Sequence, residues 1–169
     1  MSKTATYALI ESRTLTSTAT SVTFSSIPGT YTDLILVTSA KNNTGAQYRL
    51  QLRFNGDTTT NYSVTKLTGN GSTATSSRAA NATYAAILIG TIGSTNFDNA
   101  ITHIMDYANT TTYKTVLSRG NEAAAEVNAE AGLWRSTVAI TSLALDLETG
   151  IDFSIGSNFK LYGIQAGNA

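Results

Sequence analysis

Side chains alternate strictly between apolar and polar along residues 47–54, and this period of two is the feature that most constrains the fold. The apolar set is Tyr48, Leu50, Leu52 and Phe54, and the polar set is Gln47, Arg49, Gln51 and Arg53. Because successive side chains of a β-strand point to opposite faces, one set would cover a core and the other would meet solvent. The Asn55-Gly56 pair that follows is a strong hairpin signal, since both residues tolerate positive φ.

The same period recurs along the chain and predicts about ten strands separated by turn residues. The predicted strands cover residues 7–15, 21–25, 33–39, 47–54, 61–67, 84–92, 100–107, 113–119, 138–147 and 153–164. Residues 33–39 are apolar on both faces, which is typical of a central strand. The pattern predicts an all-β fold, in which residues 1–169 form a single-domain antiparallel β-sandwich of jelly-roll-like type.

Three segments lie outside the predicted strands. Residues 69–82 are rich in Gly, Ser, Thr and Asn, and we predict a long irregular loop there. Residues 122–131 have some helix-forming composition but also alternate, which favours a loop or short turn leading into a strand. Residues 1–6 are polar, and we expect an extended N-terminal arm. Since no apolar run follows Lys3, we expect no signal peptide.

Composition excludes several classes of function. Eleven basic residues balance eleven acidic ones, whereas a protein that binds nucleic acid normally has a basic excess. The chain has no cysteine and one histidine, which argues against thiolate and zinc sites. The longest apolar runs are too short to cross a bilayer. We therefore expect no nucleic-acid partner, no membrane partner, no metal and no cofactor.

Few residues are candidates for catalysis. His103 could pair with Asp106, but we expect these two side chains to lie on opposite faces of one strand. Two groups of carboxylates could serve a glycosidase, and ordinary solvated carboxylates in turns are the alternative interpretation. These groups are Asp146, Glu148 and Asp152, and Glu122, Glu126 and Glu130. We therefore predict that the protein is not an enzyme and assign no catalytic residue.

Turn residues and one aromatic residue remain as binding candidates. Asp57 after Asn55-Gly56, and Asp98 near two asparagines, could ligate calcium, but neither cluster supplies enough oxygens locally. We therefore expect these residues to form turns. Trp134 could lie exposed as a platform for a sugar or a partner protein, or it could lie in the core, and its phase leaves both possibilities open.

Several segments resemble a family of small structural proteins of tailed bacteriophages, especially marine and cyanobacterial ones. The matching segments run in order along nearly the whole chain. They are SVTFSSIP at 21–28, TYTDL at 30–34, LRFNGD at 52–57, NYS at 61–63, residues 69–78, AGLW at 131–134, AITS at 139–142 and residues 156–164. The resemblance implies a virion protein, either a capsid decoration protein or a part of a tail fibre, and it supplies no catalytic residues.

The resemblance and the composition together lead to three hypotheses. The first is a capsid decoration (cement) protein, assembled in the host cytoplasm, that binds the major capsid protein on the outer surface of the shell as a homotrimer. The second is a tail-fibre or receptor-binding domain, which would expose aromatic residues such as Trp134 or Tyr84 in a shallow groove. The third is a hydrolase of surface glycans, which would need carboxylates that converge in a cleft.

Overall fold

The chain folds into twelve β-strands in a computed structural model that describes residues 6–86, 92–122, 126–148 and 150–165. No helix occurs in these ranges. The strands are β1 Tyr7–Thr14, β2 Ser21–Phe24, β3 Asp33–Ala40, β4 Gln51–Phe54, β5 Tyr62–Gly69, β6 Ala74–Ala82, β7 Ala85–Ala86, β8 Asp98–Ile104, β9 Lys114–Glu122, β10 Glu126–Trp134, β11 Leu143–Asp146 and β12 Asn158–Ile164.

The strands form two antiparallel sheets whose order defines a jelly roll. The large sheet has the order β1-β12-β3-β8-β9-β10-β5-β6, and the small sheet has the order β2-β11-β4-β7. The first four strands of the large sheet and the small sheet together have the order of an eight-stranded jelly roll. The pairs β5–β6 and β9–β10 are insertions that extend the large sheet by four strands. The prediction of an antiparallel sandwich of jelly-roll type is confirmed.

The core lies between the two sheets and follows from the alternation along each strand. In β3, every second residue from Leu34 to Ala40 is buried, and β8 and β10 repeat this pattern. Phe24, Leu52, Phe54 and Leu145 fill the core from the small sheet, where they are essentially inaccessible to solvent. Burial of apolar area on this scale is the main term that stabilises the fold.

The strongest sequence signal is confirmed as a turn but not as a hairpin. Asn55 and Gly56 both have positive φ, at 52° and 69°, and the Asp57 amide donates to the Phe54 carbonyl at 2.9 Å. The expected hairpin is wrong, because β4 lies in the small sheet and β5 lies in the large one. The turn carries the chain from one sheet to the other, so its two flanking strands never pair.

Two segments that were not predicted as strands form regular strands, and the prediction of an irregular loop at residues 69–82 is wrong. Residues 69–82, predicted as an irregular loop, include β6, which pairs with β5 around a turn at residues 70–73. Residues 122–131 include most of β10, which pairs with β9 on one side and β5 on the other. All residues of β6 from 74 to 81 are exposed, so no apolar alternation marked this strand in the sequence.

The remaining strand predictions agree with the structure to different extents. The predicted strands at 7–15, 21–25, 33–39, 61–67, 100–107, 113–119 and 153–164 are confirmed, with end points that differ by a few residues. Of the predicted strands at 47–54 and 138–147, only Gln51–Phe54 and Leu143–Asp146 are regular strand. The strand predicted at 84–92 includes β7, but residues 87–91 lie outside the described residues. Residues 1–5 of the predicted N-terminal arm lie outside them as well.

Candidate interaction surface

The outer face of the large sheet, which points away from the small sheet, carries apolar side chains in place of the usual polar ones. In β3, the side chains that alternate with the core set are Ile35 and Val37, which are only half-buried. The apolar patch consists of Tyr7, Leu9, Ile35, Val37, Leu67, Ile101, Leu117, Val127 and Tyr162. Six of these nine side chains are exposed by more than a third. Contiguous apolar surface of this kind usually marks an interaction site.

Strand register places these side chains in rows that cross the sheet. One row joins facing residues on six neighbouring strands: Leu9, Tyr162, Ile35, His103, Leu117 and Ala131. A second row contains Val37, Ile101, Ala129 and Leu67 together with two cations, Lys160 and Arg119. Since facing residues on one side of a sheet have Cβ atoms about 5 Å apart, the rows form a continuous surface.

Between these rows lies a shallow groove of about 660 Å³. Tyr7 and Tyr162 bound it on the side of β1, and Leu117 and Arg119 bound it on the side of β9. Its floor is formed by Ile35, Val37 and Ile101. The groove therefore has an apolar centre, which suits the side chains of another protein better than a charged small molecule.

Charges on the outer face are few, and they lie among the apolar side chains. His103 Nε2 lies 2.8 Å from Oδ2 of Asp33, whose Oδ1 accepts the backbone N–H of Asp106 at 2.7 Å. His103 and Asp106 therefore share one carboxylate, but the arrangement includes no nucleophile and holds the end of β8 against β3. The cations Lys160 and Arg119 lie three strands apart, on either side of Val37 and Ile101.

The inner face of the large sheet becomes polar toward one end, where three of the predicted carboxylates lie on the same face. Glu122 and Glu126 face each other across the β9–β10 pair, and Glu130 lies on the same face. The interpretation of these residues as solvated carboxylates in turns is wrong, because Glu122 and Glu130 are each only 6% exposed. They lie on strands that the sequence pattern did not identify at residues 122–131.

The neighbours of these carboxylates hold them in the sheet. Lys66 lies 3.4 Å from Oε1 of Glu126, and Gln47 donates a hydrogen bond to Glu122. Burial raises the pKa of Glu130, and the nearby positive charge of Lys66 opposes this shift. Within the described ranges, no three His, Cys, Asp or Glu side chains gather as a metal site would require. These contacts stabilise the polar end of the sheet.

The other predicted carboxylates are separated from this group. Asp146 lies on β11 and forms an ion pair with Arg53 on the neighbouring strand β4. Burial raises the pKa of Asp146, and the Arg53 charge opposes the shift. Glu148 and Asp152 follow in the turn after β11, where the Glu148 carbonyl accepts the Ile151 amide and the Asp152 carbonyl accepts the Asn43 amide. These contacts connect the three residues to neighbouring strands and turns.

Trp134 and Asp57 each had two possible roles from the sequence, and they contact each other in the structure. Trp134 is 3% exposed and packs against Phe54 and Tyr62, with ring centroids 5.4 and 6.2 Å away. Its Nε1 donates to Oδ2 of Asp57 at 2.7 Å. Trp134 is therefore a core residue, and of the two positions that the sequence left open for it, the exposed one is excluded.

Asp57 uses its carboxylate oxygens in the turn that follows β4. Oδ1 accepts the backbone N–H of Thr59 at 2.9 Å, and Oδ2 accepts Asn61 Nδ2 at 3.1 Å as well as the Trp134 indole. Burial raises the pKa of Asp57, but these hydrogen bonds outweigh it and lower the pKa to about 2. At the second calcium candidate, Oδ2 of Asp98 accepts the Gly93 amide at 2.9 Å. Both residues form the turn contacts that the sequence predicted.

The apolar patch was not identified in the sequence, although a signal for it was present. Residues 33–39 have apolar side chains on both faces, which indicated a central strand, and β3 does lie between β12 and β8. A period of two distinguishes two faces but does not say which face a second sheet covers. In this fold the small sheet covers only one face of β3, so the other apolar face remains accessible.

Comparison with known proteins adds no relative, since no family model, curated protein or solved structure matches the chain. Among the described residues, no helix has the length and apolar character needed to span a membrane.

Proposed function

We propose that this protein is a non-enzymatic structural protein of a tailed-bacteriophage virion. In this proposal it is a capsid decoration (cement) protein that binds the major capsid protein on the outer surface of the shell. The observation that carries the proposal is the apolar patch, which crosses most of the strands of an otherwise rigid sheet. The resemblance of the sequence to small virion proteins supports the shell as the partner.

The size of the outer face is consistent with a specific protein interface. Eight strands about 4.8 Å apart span about 34 Å, and a strand of seven residues is about 24 Å long, so the face covers roughly 800 Å². A standard protein–protein interface buries about 800 Å² on each partner. Docking through this face would cover the apolar patch without disturbing the core on the opposite side of the sheet.

The charges on the outer face specify the partner further. Lys160 and Arg119 flank Val37 and Ile101 in one row of the sheet. We expect the shell surface to present apolar side chains between carboxylates that face these two cations. Pairs of opposite charges across an interface steer association and fix the register of docking more than they add affinity.

The alternative proposal is a tail-fibre or receptor-binding domain. This alternative predicts exposed aromatic residues such as Trp134 or Tyr84. However, Trp134 is buried and Tyr84 is half-buried. The guanidinium carbon of Arg49 lies 5.7 Å from the ring centroid of Tyr84. Neither Trp134 nor Tyr84 therefore offers an aromatic platform for host polysaccharide, and the tyrosines that border the groove, Tyr7 and Tyr162, lie among aliphatic side chains of the apolar patch. The third hypothesis, a glycan hydrolase, would have to use the buried Glu122 and Glu130 and the half-buried Glu126.

Copy number in purified virions tests the proposal most directly. Quantitative mass spectrometry against the major capsid protein should find hundreds of copies of a decoration protein. Shells that lack the protein should lose integrity at a lower temperature and a weaker osmotic shock than complete shells. A few copies per virion would favour the tail-fibre alternative, and absence from virions would contradict both. Hydrolysis of glycans that Glu130→Gln abolishes would establish the third hypothesis.

A further inference from the structure

Strand β6 is an open edge of the large sheet. Among the described residues it pairs only with β5, and its residues from 74 to 81 are exposed on both faces. The Asn70 amide donates to the Thr73 carbonyl at 3.2 Å, which makes these two residues the first bonded pair of the hairpin. Bonded and non-bonded pairs alternate in an antiparallel ladder, so Ala74, Ser76 and Arg78 direct their N–H and C=O groups away from β5.

Residues 74–79 of this edge have few of the features with which proteins usually prevent edge pairing. Charged side chains, proline, bulges and short length normally protect an exposed strand. Residues 74–79 contain no proline and only one charge, on Arg78. The opposite edge of the same sheet differs, because β1 carries Glu11 and Arg13 and has a bulge between Leu9 and Glu11. One edge of the sheet is therefore protected, and the other is free to accept a strand.

We infer that β6 pairs antiparallel with β6 of a second copy of this chain, around a two-fold axis at Ser76. The free run begins after the turn that ends at Thr73, and it ends at the irregularity after Ala79, where Asn81 has a φ of 57°. Ser76 is the middle one of the three residues in this run whose backbone groups point away from β5, which are Ala74, Ser76 and Arg78. A two-fold pair centred there places Ala74 of each copy opposite Arg78 of the other.

This register satisfies both the hydrogen bonds and the charges of the edge. The outward groups of Ala74, Ser76 and Arg78 would form about six backbone hydrogen bonds between the copies. The two arginines would lie four residues apart along the strand, about 14 Å, which exceeds the screening length of about 8 Å at physiological salt. Each guanidinium would extend over a small alanine. A register centred on Ser77 would bring the two arginines closer together and would be disfavoured.

The inference is independent of the virion proposal, because it rests only on the edge of the sheet. It gives a two-fold dimer where the resemblance led us to expect a homotrimer, and oligomeric state in solution separates the two. Isologous two-fold contacts are the commonest interfaces of homo-oligomers. Edge pairing would also leave the outer face free, so a dimer could still dock through both apolar patches.

Single-cysteine cross-linking tests the register, and the absence of native cysteine makes the experiment clean. In the inferred dimer, Ser76 faces its own copy at a Cα separation of about 5.5 Å, within the reach of a disulfide. Ser77 would lie diagonally from its own copy at about 8 Å, which is too far. Under mild oxidation, we expect Ser76→Cys to form covalent dimers at least ~10-fold faster than Ser77→Cys. Equal rates would overturn the inference.

Sedimentation equilibrium of the unmodified chain and of Ser76→Pro gives a second measurement. Proline removes an N–H that only the second copy would use, and edge positions of this kind tolerate it. We expect a concentration-dependent dimer whose Kd rises at least ~10-fold in Ser76→Pro, while the thermal melt of the subunit stays within a few degrees. A monomer at all concentrations, or a trimer that Ser76→Pro leaves intact, would overturn the inference.

Discussion

The indole Nε1 of Trp134 donates a 2.7 Å hydrogen bond to Oδ2 of Asp57, joining the end of β10 to the turn that follows β4. The two strands belong to different sheets. The contact therefore connects the two layers of the sandwich at the point where the chain passes between them, and Tyr62 adds a second connection by accepting the Phe54 amide at 3.1 Å.

Replacing Asp57 by Asn should make the protein less stable at pH 7 but not at pH 2. The pKa of Asp57 falls from the ordinary 3.8 to about 2 in the folded protein, so its contribution is fully present above pH 4 and is lost as the pH falls toward 2. Urea melts between pH 2 and pH 7 should show this acid-dependent loss in the native protein and a weaker one in Asp57→Asn. Asp152→Asn, which changes a half-buried carboxylate in the segment between β11 and β12, is the control. Identical pH profiles for all three proteins would contradict the assignment.

Replacing Glu130 by Gln should stabilise the protein at neutral pH. Burial raises the pKa of Glu130 above the usual 4.5, so the folded state favours the protonated acid and loses stability as the pH rises through the folded pKa. Its Oε2 has no hydrogen-bond partner, and a neutral amide would avoid burying a charge there. We expect a gain of about 1 kcal/mol at pH 7 in chemical denaturation.

The Glu130 comparison needs a carboxylate that is not buried. Glu148→Gln removes a half-buried carboxylate in the turn after β11 and should change stability by less than about 0.5 kcal/mol. At pH 4, where Glu130 is protonated in the folded state, the gain from Glu130→Gln should disappear. A loss of stability in Glu130→Gln at pH 7 would mean that the charged form makes favourable contacts that outweigh its burial.

Gly163 on β12 should not tolerate a side chain. A Cβ at this position would lie 2.2 Å from Cγ of Tyr31, whose ring covers the strand, so the ring would have to move. We expect Gly163→Ala to cost about 1–3 kcal/mol in the free energy of unfolding, as overpacking does. Gly45→Ala is the control, since nothing lies within 4 Å of its Cβ position.

A double-mutant cycle identifies the cause of the Gly163 effect. Tyr31→Ala removes the ring that the new methyl group would meet, so Gly163→Ala should cost much less in that background than in the native protein. Residues in direct contact show interaction energies of about 0.5–3 kcal/mol in such cycles. Additive effects of the two substitutions would place the strain elsewhere.

A charge in the apolar patch should prevent docking without unfolding the subunit. Leu117 is 54% exposed on the outer face, so Leu117→Asp should leave the thermal melt nearly unchanged and weaken binding to purified shells at least ~10-fold. Val138→Asp is a matched control, because Val138 is 60% exposed but lies in the loop between β10 and β11. Equal binding by the two variants would show that the outer face is not the docking surface.

The sequence predicted the strands whose two faces differ and missed those whose faces are alike. In β2 and β12, apolar and polar side chains alternate because one side meets the core, whereas β3 was predicted from its continuous apolar run. In β6, both faces meet solvent, and its Ala, Ser and Thr residues have no period to detect. The Asn55-Gly56 turn was identified from its chemistry, but pairing depends on distant strands, and a local signal could not assign β4 and β5 to different sheets.

The candidate surface was less predictable than the fold. Exposure of Leu117 or Val127 depends on which face of the large sheet the small sheet covers, which is a property of the whole topology. The buried position of Trp134 likewise depends on Asp57, a residue 77 positions away that provides the acceptor. Conversely, the turn roles of Asp57 and Asp98 were predictable, because Asn and Asp form such turns through their own neighbouring backbone.

The position of β12 between β1 and β3 sets the order in which the protein can fold. On the ribosome, the first and third strands are made long before residues 158–164, so β1 has no partner and β3 can pair only with β8 until the twelfth strand emerges. Until then, the nascent chain carries two unpaired edges that later close inside the sheet. Strand pairings between residues so far apart in sequence form slowly, and unpaired edges promote aggregation. Folding is therefore expected to be slow and to be completed only after synthesis has passed the twelfth strand.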